Sequence, residues 1–163
     1  MSARIRKAAP EDLPALLEIY EKARAIMART GNPRQWGSTN PPRSLLEEDI
    51  RRGVLYLHET EAGRPYAAFA LLPGADPTYG HIEGGAWGSD APYCTIHRLA
   101  SDGSRRGVFA QTLAFCLGVC SHLRIDTHED NRIMRRLVTA HGFRYCGVIR
   151  LANGEPRLAY ERI

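Results

Sequence analysis

The alternation of elements in the second half of the chain constrains the fold more than any other feature. YCTIHRLA (93–100) reads as a strand, 107–120 as a helix, HLRIDTH (122–128) as a strand, 131–141 as a helix closed by Gly142, and FRYCGVIRL (143–151) as a strand. Strands joined through a helix return parallel, by a right-handed crossover that packs the helix on the sheet. The expected class is therefore α/β, with a sheet that is parallel at least around this crossover. RLAYER (157–162) predicts one more strand.

The first half fits the same layout. ARIRKA (3–8) reads as a short strand, and Ala9 to Asn32 as a helix with Leu13, Leu16, Leu17, Tyr20, Ala23 and Met27 on one apolar stripe. Pro10 suits its first turn and Gly31 its stop. After the loop NPRQWGSTNPP (32–42), a second helix is expected from about Ser44 to Arg52, ended by Gly53. VLYLHET (54–60) and RPYAAFALLPG (64–74) predict a hairpin turning at Ala62 and Gly63, and YGHIEGGAW (79–87) is either a further strand or an insertion. With 163 residues, 44% of them hydrophobic, the chain can fill one core and is read as a single domain over 1–163.

No window approaches the roughly 18 apolar residues of a membrane span, and the basic start has no apolar stretch behind it, so a cytoplasmic protein with no membrane partner is expected. Cys94, Cys116, Cys120 and Cys146 lie in apolar company without a CxxC pair; they read as reduced core thiols, and no metal is expected. The net charge of +4 suits an anionic partner, and only Lys7 and Lys22 of the 22 basic residues are lysines. Arginine forks prefer phosphate and carboxylate. With neither a stacking aromatic motif nor a recognition-helix signature, no nucleic-acid partner is expected.

The first chemical signal sits in HRLASDGSRRGVFAQTLAF (97–115), where a strand runs through a basic turn into a helix. A helix N-terminus presents unpaired N–H groups and a partial positive charge. The turn from Ser101 to Arg106, followed by Gly107, is therefore either a pyrophosphate cradle in outline or an ordinary strand-to-helix loop. It lacks the Gly-Lys-Ser/Thr ending of a Walker loop and is not a GxGxxG turn.

This stretch, with LRIDTHEDNRIMRRLVTAHGF (123–143), resembles the acetyl-CoA-binding half of the GNAT superfamily of N-acetyltransferases, and the element order extends the resemblance over essentially the whole chain. QWGSTNPP, YGHIEGGAW, IHRLA and RIDTHEDN are similar to the pattern of one bacterial subgroup of that superfamily. The resemblance implies a mixed, mostly antiparallel sheet with a parallel splayed strand pair and helices on both faces. It implies transfer of the acetyl group of acetyl-CoA, a co-substrate, to a primary amine of a small molecule or peptide by direct attack; a homodimer stays open. Residue by residue, Leu99, Ala100 and Ser101 take the strand positions that meet the pantetheine and the acetyl carbonyl. Arg106, Gly107, Val108, Phe109, Ala110 and Gln111 take the pyrophosphate loop, Asn131 takes the pantetheine-contacting asparagine, and Gly142 and Phe143 match the helix-ending pair.

The chain departs from the family pattern at three positions. Phe109 stands where the loop has its first glycine, Gln111 where it has Gly or Ala, and Val138 where many members have a tyrosine that protonates the departing thiolate. These departures suggest a second reading, a catalytically silent acyl-CoA-binding or sensor domain. For the proton acceptor, His97 and Glu83 are the leading candidates. Strand alternation would place Thr95, His97 and Leu99 on one face, and a neutral imidazole accepts a proton near physiological pH. Glu83 lies in an apolar stretch that would raise its pKa. Asp126 and His128 share a strand face with Arg124, which would form an Arg–Asp–His surface network. Arg132, Arg135 and Arg136 read as a solvated helix face, and Trp36 and Trp87 either line an acceptor pocket or anchor packing.

Overall fold

The computed structural model describes residues 4–163, so Ala3 of the expected first strand lies outside the described residues. Seven strands, β1 (Arg4–Lys7), β2 (Leu55–Glu59), β3 (Pro65–Pro73), β4 (Cys94–Ser101), β5 (Leu123–Thr127), β6 (Arg144–Arg150) and β7 (Pro156–Arg162), form one sheet in the order β1-β2-β3-β4-β5-β7-β6. The helices are α1 (Leu13–Arg29), α2 (Arg43–Arg51), α3 (Val108–Leu117) and α4 (Arg132–Ala140). The expected 9–32 helix is shorter and begins as a 3-10 turn over Pro10–Asp12. No helix among the described residues is long and apolar enough to cross a membrane.

Every strand pair is antiparallel except β4–β5, the pair that straddles α3. That is the mixed sheet with one parallel pair expected from the family resemblance. The helices divide between its faces. Leu13, Leu16, Tyr20 and Ala23 of α1 and Leu46 of α2 pack with Leu55, Leu57, Ala68 and Ala70, while Phe109, Leu113 and Cys116 of α3 and Val138 of α4 pack with Phe69, Leu71, Ile96 and Ile125. Full burial of one such side chain contributes about 1.5–3 kcal/mol, so the two faces hold the helices far more firmly than helix propensity does.

Two features open the sheet at its centre. The β4–β5 ladder has only two rungs, Cys94 with Leu123 and Thr95 with Arg124; past these the strands diverge, leaving the facing edges without ladder partners. Within β4 the register to β3 advances from His97 opposite Ala70 to Ala100 opposite Ala68, so Arg98 and Leu99 together oppose Phe69. This is a β-bulge, and Arg98 adopts a φ of 54°, a left-handed conformation that a non-glycine residue takes only when its surroundings enforce it. Here Tyr20 Oη donates to the Arg98 carbonyl at 2.7 Å and Arg98 Nε donates to Asp49 Oδ2 at 2.8 Å.

The segment between β3 and β4 is an insertion rather than a strand. Its one ladder contact in 79–87 is an isolated bridge of Glu83 with Val148. Glycine permits that approach, because a Cβ on Gly85 would collide with the Cys146 carbonyl and one on Gly147 would lie 2.6 Å from the Glu83 carbonyl. The insertion is clamped from below: Arg124 lies between the rings of Trp87 and Tyr93, at 4.0 and 3.9 Å, and donates to the Ser89 carbonyl at 2.8 Å. Buried Glu161 of β7 accepts from Arg124 Nε at 3.2 Å and the Gly88 N–H at 2.6 Å, and pairs with His122 Nε2 at 2.7 Å.

Candidate functional site

Where β4 and β5 part, a cavity of about 360 Å³ opens. Ile96 to Leu99 of β4 and Ile125 to Thr127 of β5 floor it; Asn131 and Met134 bound it on the α4 side; the α1–α2 connection supplies Gln35 and Trp36, and the insertion supplies Asp76 and Thr78.

His97 lines this cavity with a carboxylate near each ring nitrogen. Its Nε2 lies 2.8 Å from Asp76 Oδ2, and its Nδ1 lies 3.9 Å from Asp126 Oδ2. Asp76 is held by its own turn as well, accepting from the Thr78 N–H at 2.8 Å and the Thr78 hydroxyl at 2.6 Å. Burial works to raise the pKa of Asp76, but the bonds from His97 and Thr78 outweigh it and pull the group down to about 2. Asp76 is therefore an ionised, acceptor-only group at neutral pH. Nε2 of His97 must then carry the proton it shares, so whenever the ring is neutral its lone pair lies on Nδ1. Tyr79 Oη donates to Asp126 Oδ2 at 2.6 Å; burial first, and then the Asp126 charge, push the phenol well above its ordinary range, so it remains a donor.

The bulge changes the expected facing of the strand. Ile96 and Leu99 both pack on the α3–α4 side and Ala100 on the α1–α2 side, so alternation does not carry through from His97 to Leu99. One extra residue at Arg98 reverses the sense of the strand beyond it. His97 and Leu99 still line one cavity because the cavity passes through the gap between the strands. Ala100 and Ser101 return to the β3 ladder, with Ser101 Oγ accepting from the Gly103 N–H at 3.1 Å.

Glu83 lies elsewhere. Its carboxylate forms an exposed ion pair with Arg150 at 2.9 Å, and that guanidinium lowers its pKa, opposite to the rise expected from its apolar neighbours. The Arg–Asp–His surface network is also absent: Arg124 is buried against Glu161, Asp126 faces Tyr79 and His97, and His128 Nδ1 accepts from the Asp130 N–H. Trp36 lines the cavity, its ring 5.7 Å from that of Tyr20, whereas Trp87 packs on Arg124. Arg132, Arg135 and Arg136 are exposed on α4.

The start of α3 lies beyond the cavity lining. Gly107 is its N-cap with a φ of 77°, no side chain caps it, and the first intrahelical bond runs from the Gln111 N–H to the Gly107 carbonyl at 3.1 Å. The amides before Gln111 therefore have no helical partner. Phe109 does not screen them, because its ring is buried against His141 and Phe143 at 5.1 and 6.3 Å. Gln111 is likewise turned aside, with Oε1 3.3 Å from the Tyr66 hydroxyl. Arg105 pairs with Glu61 at 3.4 Å, while Arg106 is exposed and without an ion pair among the described residues. Asn131 caps α4, accepting from the Met134 N–H at 3.0 Å, and its amide donates to Gln35 Oε1 at 3.1 Å. Val138, at the position of the family's tyrosine, is fully buried between α4 and the sheet and does not reach the cavity.

Sequence reasoning missed Asp76, Tyr79, Gln35 and Arg157. Asp76 precedes Pro77 in a short turn and reads as a local cap; that its second oxygen also meets His97 depends on a fold that brings residues 21 apart together.

The chain thus combines an open parallel strand pair, a helix start with amides that lack helical partners, and an Asp–His pair in the gap. The crystal structure of a GNAT-family acetyltransferase from Streptococcus agalactiae matches with a TM-score of 0.86 and 32% identity, over 99% of this chain and 95% of that one. One from Listeria monocytogenes matches with a TM-score of 0.72 and 21% identity, over 98% and 94%. A phosphinothricin acetyltransferase from Sinorhizobium meliloti, solved in complex with acetyl-CoA, matches in fold with a TM-score of 0.67 and 16% identity, over 99% and 88%. No family model and no curated relative matches the sequence. With that identity spanning nearly the whole of both chains, this chain belongs to the GNAT family of acetyltransferases.

Proposed function

We propose that the protein transfers the acetyl group of acetyl-CoA to a primary amine of a small molecule or peptide by direct attack in a ternary complex, with His97 as the proton acceptor. The observation that carries this reading is the His97–Asp76 pair in the β4–β5 gap, with a free Nδ1 facing the cavity. Acetyl-CoA use is supported by the family and by the Sinorhizobium meliloti neighbour.

The chain's own groups fit such a co-substrate. The unpaired amides from Gly107 to Ala110, with Arg106 beside them, suit a pyrophosphate. The unladdered edges of β4 and β5 suit an extended amide-containing arm, and Asn131 has an amide at the same opening. Bound acetyl-CoA supplies the thioester carbonyl: a C–N bond forms to it as the C–S bond breaks, and the thiolate takes a proton from water. Main-chain N–H groups on the unladdered stretch of β4 around Leu99 are the candidates to stabilise the charge that develops on the carbonyl oxygen.

His97 and Asp126 handle the amine. Their 3.9 Å separation is too long for a hydrogen bond, but a nitrogen seated beside both meets each at bonding distance. Asp126 holds the ammonium form; Nδ1 takes one proton from it, which frees the nitrogen lone pair for attack, and the second proton, shed as the nitrogen bonds to carbon, passes to water, from which the thiolate is protonated. The Asp76 carboxylate stabilises the imidazolium and keeps the ring oriented. The proton then leaves to solvent, so each turnover releases one proton net from an ammonium acceptor. The test is release of free CoA from acetyl-CoA against amines, polyamines, amino acids and peptides. Thiol release with at least one acceptor, lost in His97→Gln while acetyl-CoA still binds, is expected. Binding without release across the panel would instead favour the sensor reading.

A further inference from the structure

Two arginines that acetyl transfer does not require, Arg98 and Arg157, line the cavity. Arg98 spends only Nε, on Asp49; its two terminal nitrogens have no hydrogen-bond partner among the described residues. Arg157 of β7 is 5% exposed, and its terminal nitrogens meet the Pro156 and Gln35 carbonyls at 2.9 and 3.1 Å. Its nearest carboxylate, Glu155, is 3.5 Å away and itself half exposed. Arg157 is thus a buried cation facing a cavity with a weak, solvated counter-charge. Two carbonyls and one half-exposed carboxylate compensate a buried guanidinium only in part, and an anion arriving in the cavity would offset the remaining desolvation.

Two carboxylates line the same cavity. Asp76 and Asp126 flank His97, and Arg98 is the only cation among their cavity neighbours on β4 and β5. A ligand that complements both kinds of charge carries an ammonium and a carboxylate. The space between them is bounded by apolar groups, Trp36, Leu45 and Leu151.

Resting on the acetyl-transfer reading above, we infer that the acceptor is a free α-amino acid or a close zwitterionic analogue with an apolar side chain, its carboxylate held by Arg157 and Arg98. A polyamine would set its second ammonium against these arginines. A peptide N-terminus would bring a neutral amide to the place where the arginines call for an anion.

The experiment compares apolar L-amino acids with the matching amino-acid amides, an alkylamine and spermidine. It measures both calorimetric binding in the presence of CoA and thiol release with acetyl-CoA. The free acid is expected to exceed its amide by tenfold or more in both, and Arg157→Gln, checked by its melting curve, should collapse that ratio toward one. The acid-to-amide ratio of the unaltered protein needs no variant, so a misfolded Arg157→Gln does not block the test. Equal or better use of the amide, the alkylamine or spermidine overturns the zwitterion and leaves acetyl transfer standing. Selective binding of the free acid without thiol release keeps the zwitterion and overturns acetyl transfer, and neither binding nor release of any amino acid overturns the inference.

Discussion

His97 of β4 and Asp76 of the β3–β4 insertion meet at 2.8 Å across 21 residues of sequence, and the bond fixes which imidazole nitrogen is left free. The insertion is in turn fastened to the sheet by Glu161, Arg124 and Trp87, so the side chain that orients the proposed base stands on a braced support.

The first prediction follows from that bond. His97→Gln should lower turnover by about 10²-fold or more. Asp76→Asn, which removes one charge-assisted bond of about 1.5–3 kcal/mol, should lower it by about 10- to 100-fold. Because Asp76 acts only through His97, the double variant should be no slower than His97→Gln alone. Losses that multiply in the double variant would show that Asp76 acts independently of His97.

Much of the frame was legible in the sequence because it is written in local pattern. The alternation from Cys94 to Arg150 predicts the parallel β4–β5 pair, and Gly107 and Asn131 mark the starts of α3 and α4. The bulge at Arg98 was not legible, since nothing in IHRLA distinguishes a regular strand from one that is held open by Tyr20 and Asp49, residues distant in sequence. For the same reason His97 was found as a candidate without its partner, and Arg157 read as an ordinary strand residue. Glu83 misled because apolar neighbours in sequence are not apolar neighbours in space; its spatial neighbour is Arg150.

The second prediction concerns the brace. Burial opposes ionisation of Glu161, but bonds from His122, the Gly88 N–H and Arg124 more than compensate and hold its pKa below the usual range. A carboxylate with a depressed folded pKa stabilises above its unfolded pKa, about 4.3 for glutamate, and that contribution is lost as pH falls through the folded value. Glu161→Gln should therefore cost about 3 kcal/mol near neutral pH. The gap between the two melting temperatures should close on acidification below about pH 4.3. A gap that stays constant into acid would mean that the Glu161 charge contributes nothing.

The third prediction uses the thiols. Burial pushes Cys116 up to about 12 and Cys94 up to about 11, and raises Cys146 as well. These three should resist a thiol reagent in the native protein at neutral pH and react on unfolding. Mass mapping of labelled native protein checks this, and rapid labelling of Cys94 or Cys116 would contradict the packing of α3 on β4.

The last prediction separates structure from binding at Asn131. Its Oδ1 caps α4 and its Nδ2 donates to Gln35, which also accepts from Thr127 Oγ1 at 3.3 Å. Asn131→Ala removes both and should cost about 1 kcal/mol as a lost cap. Asn131→Asp keeps a cap acceptor with a charge favourable at a helix N-terminus, which offsets part of the cost of losing the bond to Gln35, so the melting temperature should fall less than in Asn131→Ala. The same substitution deletes the only donor that residue 131 offers the β4–β5 opening. If that donor serves the arm of acetyl-CoA, calorimetry should show acetyl-CoA binding to Asn131→Asp weakened by tenfold or more, with the fold intact. Equal affinity in the parent and the variant would reduce Asn131 to a helix cap and leave the unladdered strand edges to hold the co-substrate without it.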